Sequence, residues 1–335
     1  MSKNRRFGLV VSCSLAMVFT IALTFATIEF PRLLNNMLSQ LFPDIHPYVE
    51  PELVEEFLRM VRPFGYASLL LVITLMAVGF KTGYRGLYRL GSLAFFLPVF
   101  GSFASQMFFL AGIGILRVLW LPFWDVSPNL MKLGDIAYLP YMILVHPFSR
   151  LGLDIRPGLA YLSIGIGLMV FLLGTLTWFR AKLFDMDVVD FWIYRYSRHP
   201  QYLGYIVWSY GVMLIATLYP VPRGGLNPGP SLPWLVSALM IVCVALIEEG
   251  TMTRAHSEDY LKYRSSAPFM IPLPRFISNA VTAPLKKLYH VKTSRNSWDI
   301  LYLFVIYLGI LIFLSLPFFL LNYPPGLGWM TWPRI

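Results

Sequence analysis

The sequence predicts an all-α, polytopic transmembrane helical bundle of about seven spans, with the N-terminus cytosolic and the C-terminus outside. Three observations carry this. Of the 335 residues only 13% are charged and 57% are hydrophobic, with a mean hydropathy of +0.63, whereas a soluble domain carries about 25% charged residues. Apolar runs of membrane-crossing length recur along the chain. Basic residues collect on alternate loops, as they do on the cytosolic side of membrane proteins. A chain so poor in polar groups can neither coat soluble domains nor stay disordered.

The expected spans, in order, are Phe7–Ile28, Phe64–Phe80, Gly91–Leu116, Gly158–Phe179, Gln201–Tyr219, Trp234–Ile247 and Ile300–Leu321. The first follows Lys3, Arg5 and Arg6 as a signal peptide does. Its length and the lack of a small-residue cleavage site favour an uncleaved span. The sixth is short, so Glu248 or Glu249 must lie near its cytosolic end. Ile136–Phe148 is too short to cross and is broken by Pro140 and Pro147, which predicts a re-entrant or interfacial piece. Between the first two spans, Leu53, Phe57, Leu58 and Val61 recur at helical spacing among Glu50, Glu52, Glu55 and Glu56, the pattern of an amphipathic surface helix. Pro220–Pro233 is rich in Pro and Gly and predicts a rigid connector that makes spans five and six an antiparallel hairpin.

With the N-terminus inside, 18 of the 27 basic residues face the cytosol, and that side carries the whole net charge of +10. Topology and attraction to anionic head groups explain this charge without nucleic acid. The basic stretch Pro284–Arg295 reads as a head-group-facing surface. Cys13 and Cys243 lie in apolar runs and form neither a disulfide framework nor a zinc site. His46 and His290 stand alone, and no two histidines share metal-ligand spacing on one helix.

Chemistry-bearing residues are scarce and fall in two clusters. One, Tyr194 to Gly204, precedes span five and holds Arg195, Tyr196, Arg198, His199, Pro200, Gln201 and Tyr202. The other follows span six with Glu248, Glu249, Arg254, His256, Glu258, Asp259, Tyr260 and Tyr263. One crossing out and one crossing back separate them, so both must meet at the cytosolic face. Pro200 suits the first turn of a helix, whose positive end, with Arg198 and His199, favours a carboxylate or phosphate. Gly204 allows a ligand or a neighbouring helix close to the backbone. Tyr202, Tyr196 and Tyr205 can cover a base or a cationic centre, and the carboxylates suit an ammonium group. These parts fit S-adenosyl-L-methionine, and they fit other zwitterions too. Each also has a plainer role: arginines as positive-inside anchors, tyrosines as an interfacial belt, glutamates reaching water.

Arg198-His199-Pro200-Gln201-Tyr202-Leu203-Gly204 resembles the Arg-His-Pro-x-Tyr-x-Gly motif of integral-membrane methyltransferases such as isoprenylcysteine carboxyl methyltransferase and the phospholipid N-methyltransferases. Glu248-Glu249, Tyr260-Leu261-Lys262-Tyr263, Pro268 and Pro272 resemble the second half of that pattern. The likeness spans about Tyr194 to Pro272. Trp192-Ile193-Tyr194 replaces the family's Gly-Pro-Tyr, and Ser257 stands where a Gly commonly precedes the Tyr-x-x-Tyr helix. The resemblance implies a cofactor site at Arg198, His199, Pro200, Tyr202, Gly204, Glu248 and Glu249 and a lipid entering sideways between helices. It divides the chain into an N-terminal membrane region, 1–151, a methyltransferase-like core, 152–298, and a C-terminal transmembrane helix, 299–335.

The expected activity is methyl transfer from S-adenosyl-L-methionine to a lipid or isoprenoid-type acceptor at the cytosolic face of a multi-pass protein. Such a protein would sit in a prokaryotic plasma membrane or the endoplasmic reticulum. Arg195 is a candidate for orienting a carboxylate acceptor, and Glu249 or His256 for removing an amine proton. Three rivals remain open. A sterol-reductase-type NADPH enzyme would carry Asn where Pro200 and Gln201 stand and an acidic residue at Tyr205. A metal-dependent lipid transferase would use Asp185, Asp187 and Asp190, whose spacing only partly shares one helix face. A non-enzymatic lipid-binding protein is the third.

Overall fold

The computed structural model describes residues 7–22, 24, single positions between 56 and 78, 121–218, 231–255, 257–271, 273, 274, 276, 277, 283 and 297–320. Regular structure among the described residues is helical throughout, without strands. The helices are α1 (Phe7–Ala22), then α2 (Leu121–Val126), α3 (Leu139–Arg150), α4 (Arg156–Leu183), α5 (Pro200–Leu218), α6 (Ser231–Ala255), α7 (Ser257–Ser266) and α8 (Ser297–Leu320). Short 3-10 helices cover Pro128–Tyr138 and Trp192–Arg195. The segments Arg156–Leu183, Ser231–Ala255 and Asp299–Leu320 are long and apolar enough to cross a membrane, consistent with a membrane protein.

Local chemistry sets the helix ends. Asp154 Oδ1 accepts the Arg156 backbone N–H at 3.1 Å and caps α4, while its carboxylate also pairs with the Arg156 side chain. Pro200 opens α5, where its missing N–H would have no intrahelical partner. Glu258 and Asp259 occupy the first turn of α7 and Arg264 its last, matching the helix dipole at both ends.

Two expectations change. The sixth span is not short: α6 runs 25 residues and carries Glu248 and Glu249 inside the helix, because Thr251 to Ala255 continue it past the apolar run. Pro140 and Pro147 do not break the Ile136–Phe148 piece. Pro140 sits in the first turn of α3, where proline fits, and Pro147 lies inside a helix that continues to Arg150. The third span, Gly91–Leu116, lies outside the described residues, as do residues 219–230 of the connector, His46, His290 and the whole of Pro284–Arg295. Of the outer amphipathic segment and the second span only single helical positions are described.

The chain divides into two compact units. The first comprises Met1–Thr24, Ser163–Ser209 and Ile241–Phe304. Within it α4 and α5 cross backbone to backbone. A Cβ added to Gly167 would lie 2.2 Å from the Trp208 backbone nitrogen, and one added to Gly204 would lie 2.4 Å from that of Phe171. Gly174 likewise meets Gln201 and Pro200. Numbers rise on one helix as they fall on the other, so the pair is antiparallel. Small residues at such crossings let apolar helices gain close van der Waals contact where no hydrophobic effect separates them from lipid. Helix α1 lies along α4, with Phe19 stacked on Phe171 and edge-on to Phe179, both at 6.1 Å.

The second unit comprises Phe25–Leu162, Tyr210–Met240 and Val305–Ile335. Among its described residues, the 3-10 helix Pro128–Tyr138 joins several elements. Gly134 there meets the Leu232 backbone, where a Cβ would lie 2.2 Å from the nitrogen. Ser231 Oγ donates to Asp135 Oδ1 at 2.6 Å, Tyr210 Oη donates to the Ala137 carbonyl at 2.9 Å, and the Ile136 N–H donates to Ser315 Oγ at 3.2 Å. Tyr138 and Thr217 share a 2.7 Å hydroxyl–hydroxyl bond.

Candidate functional site

The first cluster is built by the turn that enters α5. The Arg198 N–H donates to the Pro268 carbonyl at 3.0 Å, and Ser197 Oγ accepts the His199 N–H at 3.3 Å. The His199 carbonyl accepts the first intrahelical N–H, from Leu203, at 2.9 Å. His199 is therefore fixed as the residue that precedes the helix, and it is buried. The second cluster projects from the last turns of α6, and the segment Pro268–Phe269 after α7 closes over the first.

Glu249 is the meeting point. It is 4% exposed, and three basic side chains face it. Oε1 lies 3.1 Å from Arg198 Nε and 3.3 Å from His199 Nε2, and Oε2 lies 3.5 Å from Arg264 Nε. A carboxylate only accepts, so the His199 contact places the imidazole proton on Nε2. The Arg198 contact is an ion pair by distance, yet its N–H is not aimed at the oxygen and Nε makes no hydrogen bond. Arg198 Nη1 donates to the Arg264 carbonyl at 3.3 Å, and the guanidinium stands 5.7 Å from the Phe269 ring centre. Burial holds Arg198 below the ordinary arginine value, and the charge of Glu249 opposes that shift.

Tyr202, in the first turn of α5, donates its hydroxyl to Glu248 Oε1 at 2.6 Å. Its ring stacks on His199 at 5.8 Å, and Phe269 meets His199 edge-on at 5.1 Å. Tyr260 and Tyr263 pack with Tyr194 and Ala267 in a small core beneath the cluster. Tyr263 Oη donates to the Tyr194 carbonyl at 2.8 Å. Burial pushes all three phenols above their ordinary values, so they remain neutral donors.

The structure thus brings Arg198, His199, Tyr202, Glu248 and Glu249 together and treats the other expected residues differently. Pro200 is buried as the helix starter, beside Gly174. The space against Gly204 is filled by the Phe171 backbone and the Gly167 carbonyl, so this glycine serves a helix crossing and leaves no room there for a ligand. Arg195 ends the 3-10 turn with its side chain exposed and, among the described residues, makes no ion pair with the cluster. His256 lies outside the described residues. Glu249, considered as a proton acceptor, has both oxygens engaged by cations. Among the described residues, Asp185, Asp187 and Asp190 form no group placed to hold a metal ion.

Arg264 and Phe269 were not expected at the site. An arginine in the last turn of a helix reads as a partner of the dipole, and nothing in its spacing shows that it turns towards Glu249.

Part of the sequence has a counterpart. Residues 164–267 match a protein family of unknown function, DUF1295. The matched stretch contains α5 with its entering turn, α6 with both glutamates, and Tyr260-x-x-Tyr263, so the chain is similar to that family over this part. No curated protein and no solved structure matches the chain.

Proposed function

We propose that the chain transfers a methyl group from S-adenosyl-L-methionine to a lipid-borne acceptor. The observation that carries the reading is the convergence of the Arg198–Tyr202 turn on the Glu248–Glu249 pair, the two halves of the motif that resembles membrane methyltransferases. The donor set fits the cofactor. A buried Arg198 Nε–H without an acceptor is what an incoming carboxylate would satisfy. Half-buried Glu248, oriented by Tyr202, suits an ammonium group. The His199, Tyr202 and Phe269 rings give a surface for a base or a sulfonium. When bound, the cofactor supplies an electrophilic methyl for a single in-line displacement.

The chain's own residues would act by positioning. Glu249 holds Arg198, His199 and Arg264 in one arrangement, which keeps their donors aimed without reorganisation. A carboxylate acceptor is already nucleophilic and needs only orientation and a dry site. In the same reading the site faces the cytosol, the chain crosses the membrane about seven times with its N-terminus inside, and anionic head groups line the basic side.

The test incubates purified protein with radiolabelled methyl donor and total membrane extract, then identifies the labelled product. Saturable thermal stabilisation by S-adenosyl-L-methionine or its demethylated product, and none by NADPH, is expected. Stabilisation by NADPH alone would favour the reductase reading. Undiminished turnover in His199→Ala/Glu249→Ala would refute the assignment.

A further inference from the structure

At the end of α4, six residues and about 9 Å along the axis from Gly174, a second guanidinium lacks an acceptor. Arg180 stands between two rings, 5.3 Å from the centre of Phe184 and 5.1 Å from that of Trp192. Its Nη1 is buried and has no hydrogen-bond partner.

Three ordinary roles for an arginine at a helix end do not apply. It does not cap the helix. The last carbonyls are served by the chain that follows, with Phe184 N–H and Met186 N–H on the Ala181 carbonyl and Asp185 N–H on that of Lys182. Asp185, at φ +50, supplies the left-handed residue that such a closure needs. It does not pair with the neighbouring carboxylates, since among the described residues Asp185, Asp187 and Asp190 make no ion pair with it. Nor does water serve Nη1, which is buried although the side chain as a whole is only half-buried.

The clamp is also strained. Trp192 has φ +50, a conformation that costs a bulky side chain about 1–2 kcal/mol, and its ring lies against Arg180. Gly8, in α1, comes against the far end of Phe184, where an added Cβ would lie 3.1 Å from Cζ. A ring-flanked, half-buried guanidinium with one unused buried N–H is suited to a phosphate oxygen.

We propose that Arg180, with Phe184 and Trp192, forms a phosphate-binding site separate from the Glu249 cluster, filled by the phosphate of a lipid head group or by the free anion. Position favours the lipid, since α4 is of membrane-crossing length and Arg180 lies in its last turn.

The test uses the purified full-length protein in neutral detergent and follows thermal unfolding at pH 7. Titrants are dioctanoyl phosphatidate, dioctanoylglycerol as its phosphate-free match, and inorganic phosphate. No methyl donor is present, so the outcome is independent of the proposed activity. Dioctanoyl phosphatidate is expected to raise the wild-type midpoint saturably and dioctanoylglycerol to leave it unchanged. Arg180→Gln weakens the apparent affinity about tenfold. Arg180→Lys keeps the charge without the fork and falls between, and it stands in if the Gln variant does not fold. A response to phosphatidate alone assigns the site to lipid; an equal response to inorganic phosphate assigns it to the free anion. No response to either phosphate compound, an equal response to dioctanoylglycerol, or variants that respond as the wild type does, overturns the proposal.

Discussion

Replacing Glu249 by Gln isolates the electrostatic role of the cluster. The change keeps the shape and one carbonyl oxygen but removes the negative charge that faces Arg198, His199 and Arg264 at 3.1, 3.3 and 3.5 Å. Arg264, with 27% of its side chain exposed, still reaches water. Arg198 cannot, because its side chain is only 10% exposed, and an arginine does not lose its proton. Breaking a buried pair in this way costs about 3–5 kcal/mol. With only one of the two arginines stranded, the lower end applies, about 3 kcal/mol. The measurement is the midpoint of thermal unfolding in detergent for Glu249→Gln, Arg198→Met and the pair Arg198→Met/Glu249→Gln. Removing both charges leaves no buried charge uncompensated, since Arg264 reaches water, so the double variant loses far less than the two single losses combined. A Gln variant within about 0.5 kcal/mol of the wild type, or additive losses in the double variant, would show that Glu249 does not organise its neighbours.

Three further outcomes follow from other contacts. Gly204→Ala places a methyl 2.4 Å from the Phe171 nitrogen and 2.8 Å from the Gly167 carbonyl, both backbone atoms that cannot rotate aside. It should destabilise by about 1–3 kcal/mol or more, read as a lowered unfolding midpoint, whereas Gly165→Ala, with open space beside it, should be nearly silent. Burial raises the Asp135 carboxyl to about 7, against smaller opposing effects of Ser231 and Lys132. The native state then holds this proton to higher pH than the unfolded chain, so this contribution to stability is lost as pH rises from about 4 through 7. The loss amounts to at most about 4 kcal/mol. The difference in midpoint between wild type and Asp135→Asn, followed across that range, should trace the loss, and a pH-independent difference would contradict it. Tyr202→Phe frees Glu248 from its 2.6 Å hydrogen bond and should weaken S-adenosyl-L-methionine binding about tenfold in calorimetric titration while leaving the unfolding midpoint within a few degrees.

The meeting of His199 with Glu249 was legible in the chain because membrane thickness fixes helix length. Once two adjacent apolar runs cross out and back, the residue before the first and the residue near the end of the second have to share a level. The facing of each side chain was not legible. Helices that are apolar all round show no stripe from which an azimuth can be read, so sequence alone left Gly204 open to either a ligand or a helix. The same ambiguity hid Arg264, whose turn towards Glu249 depends on how α7 packs through Tyr260 and Tyr263. The continuation of α6 to Ala255 was missed for another reason. Hydropathy marks where a helix leaves lipid, while Thr251, Met252 and Thr253 can extend it into the polar layer.

The 3-10 helix Pro128–Tyr138 grips both borders of the stretch that joins α5 to α6, through Tyr138 on Thr217 and Asp135 on Ser231. Those borders are anchored to a third party and not merely tethered to each other. Drift in the length or wording of residues 219–230, or a protease nick within them, need not unzip the two rods, because the clasp survives when the cord is cut.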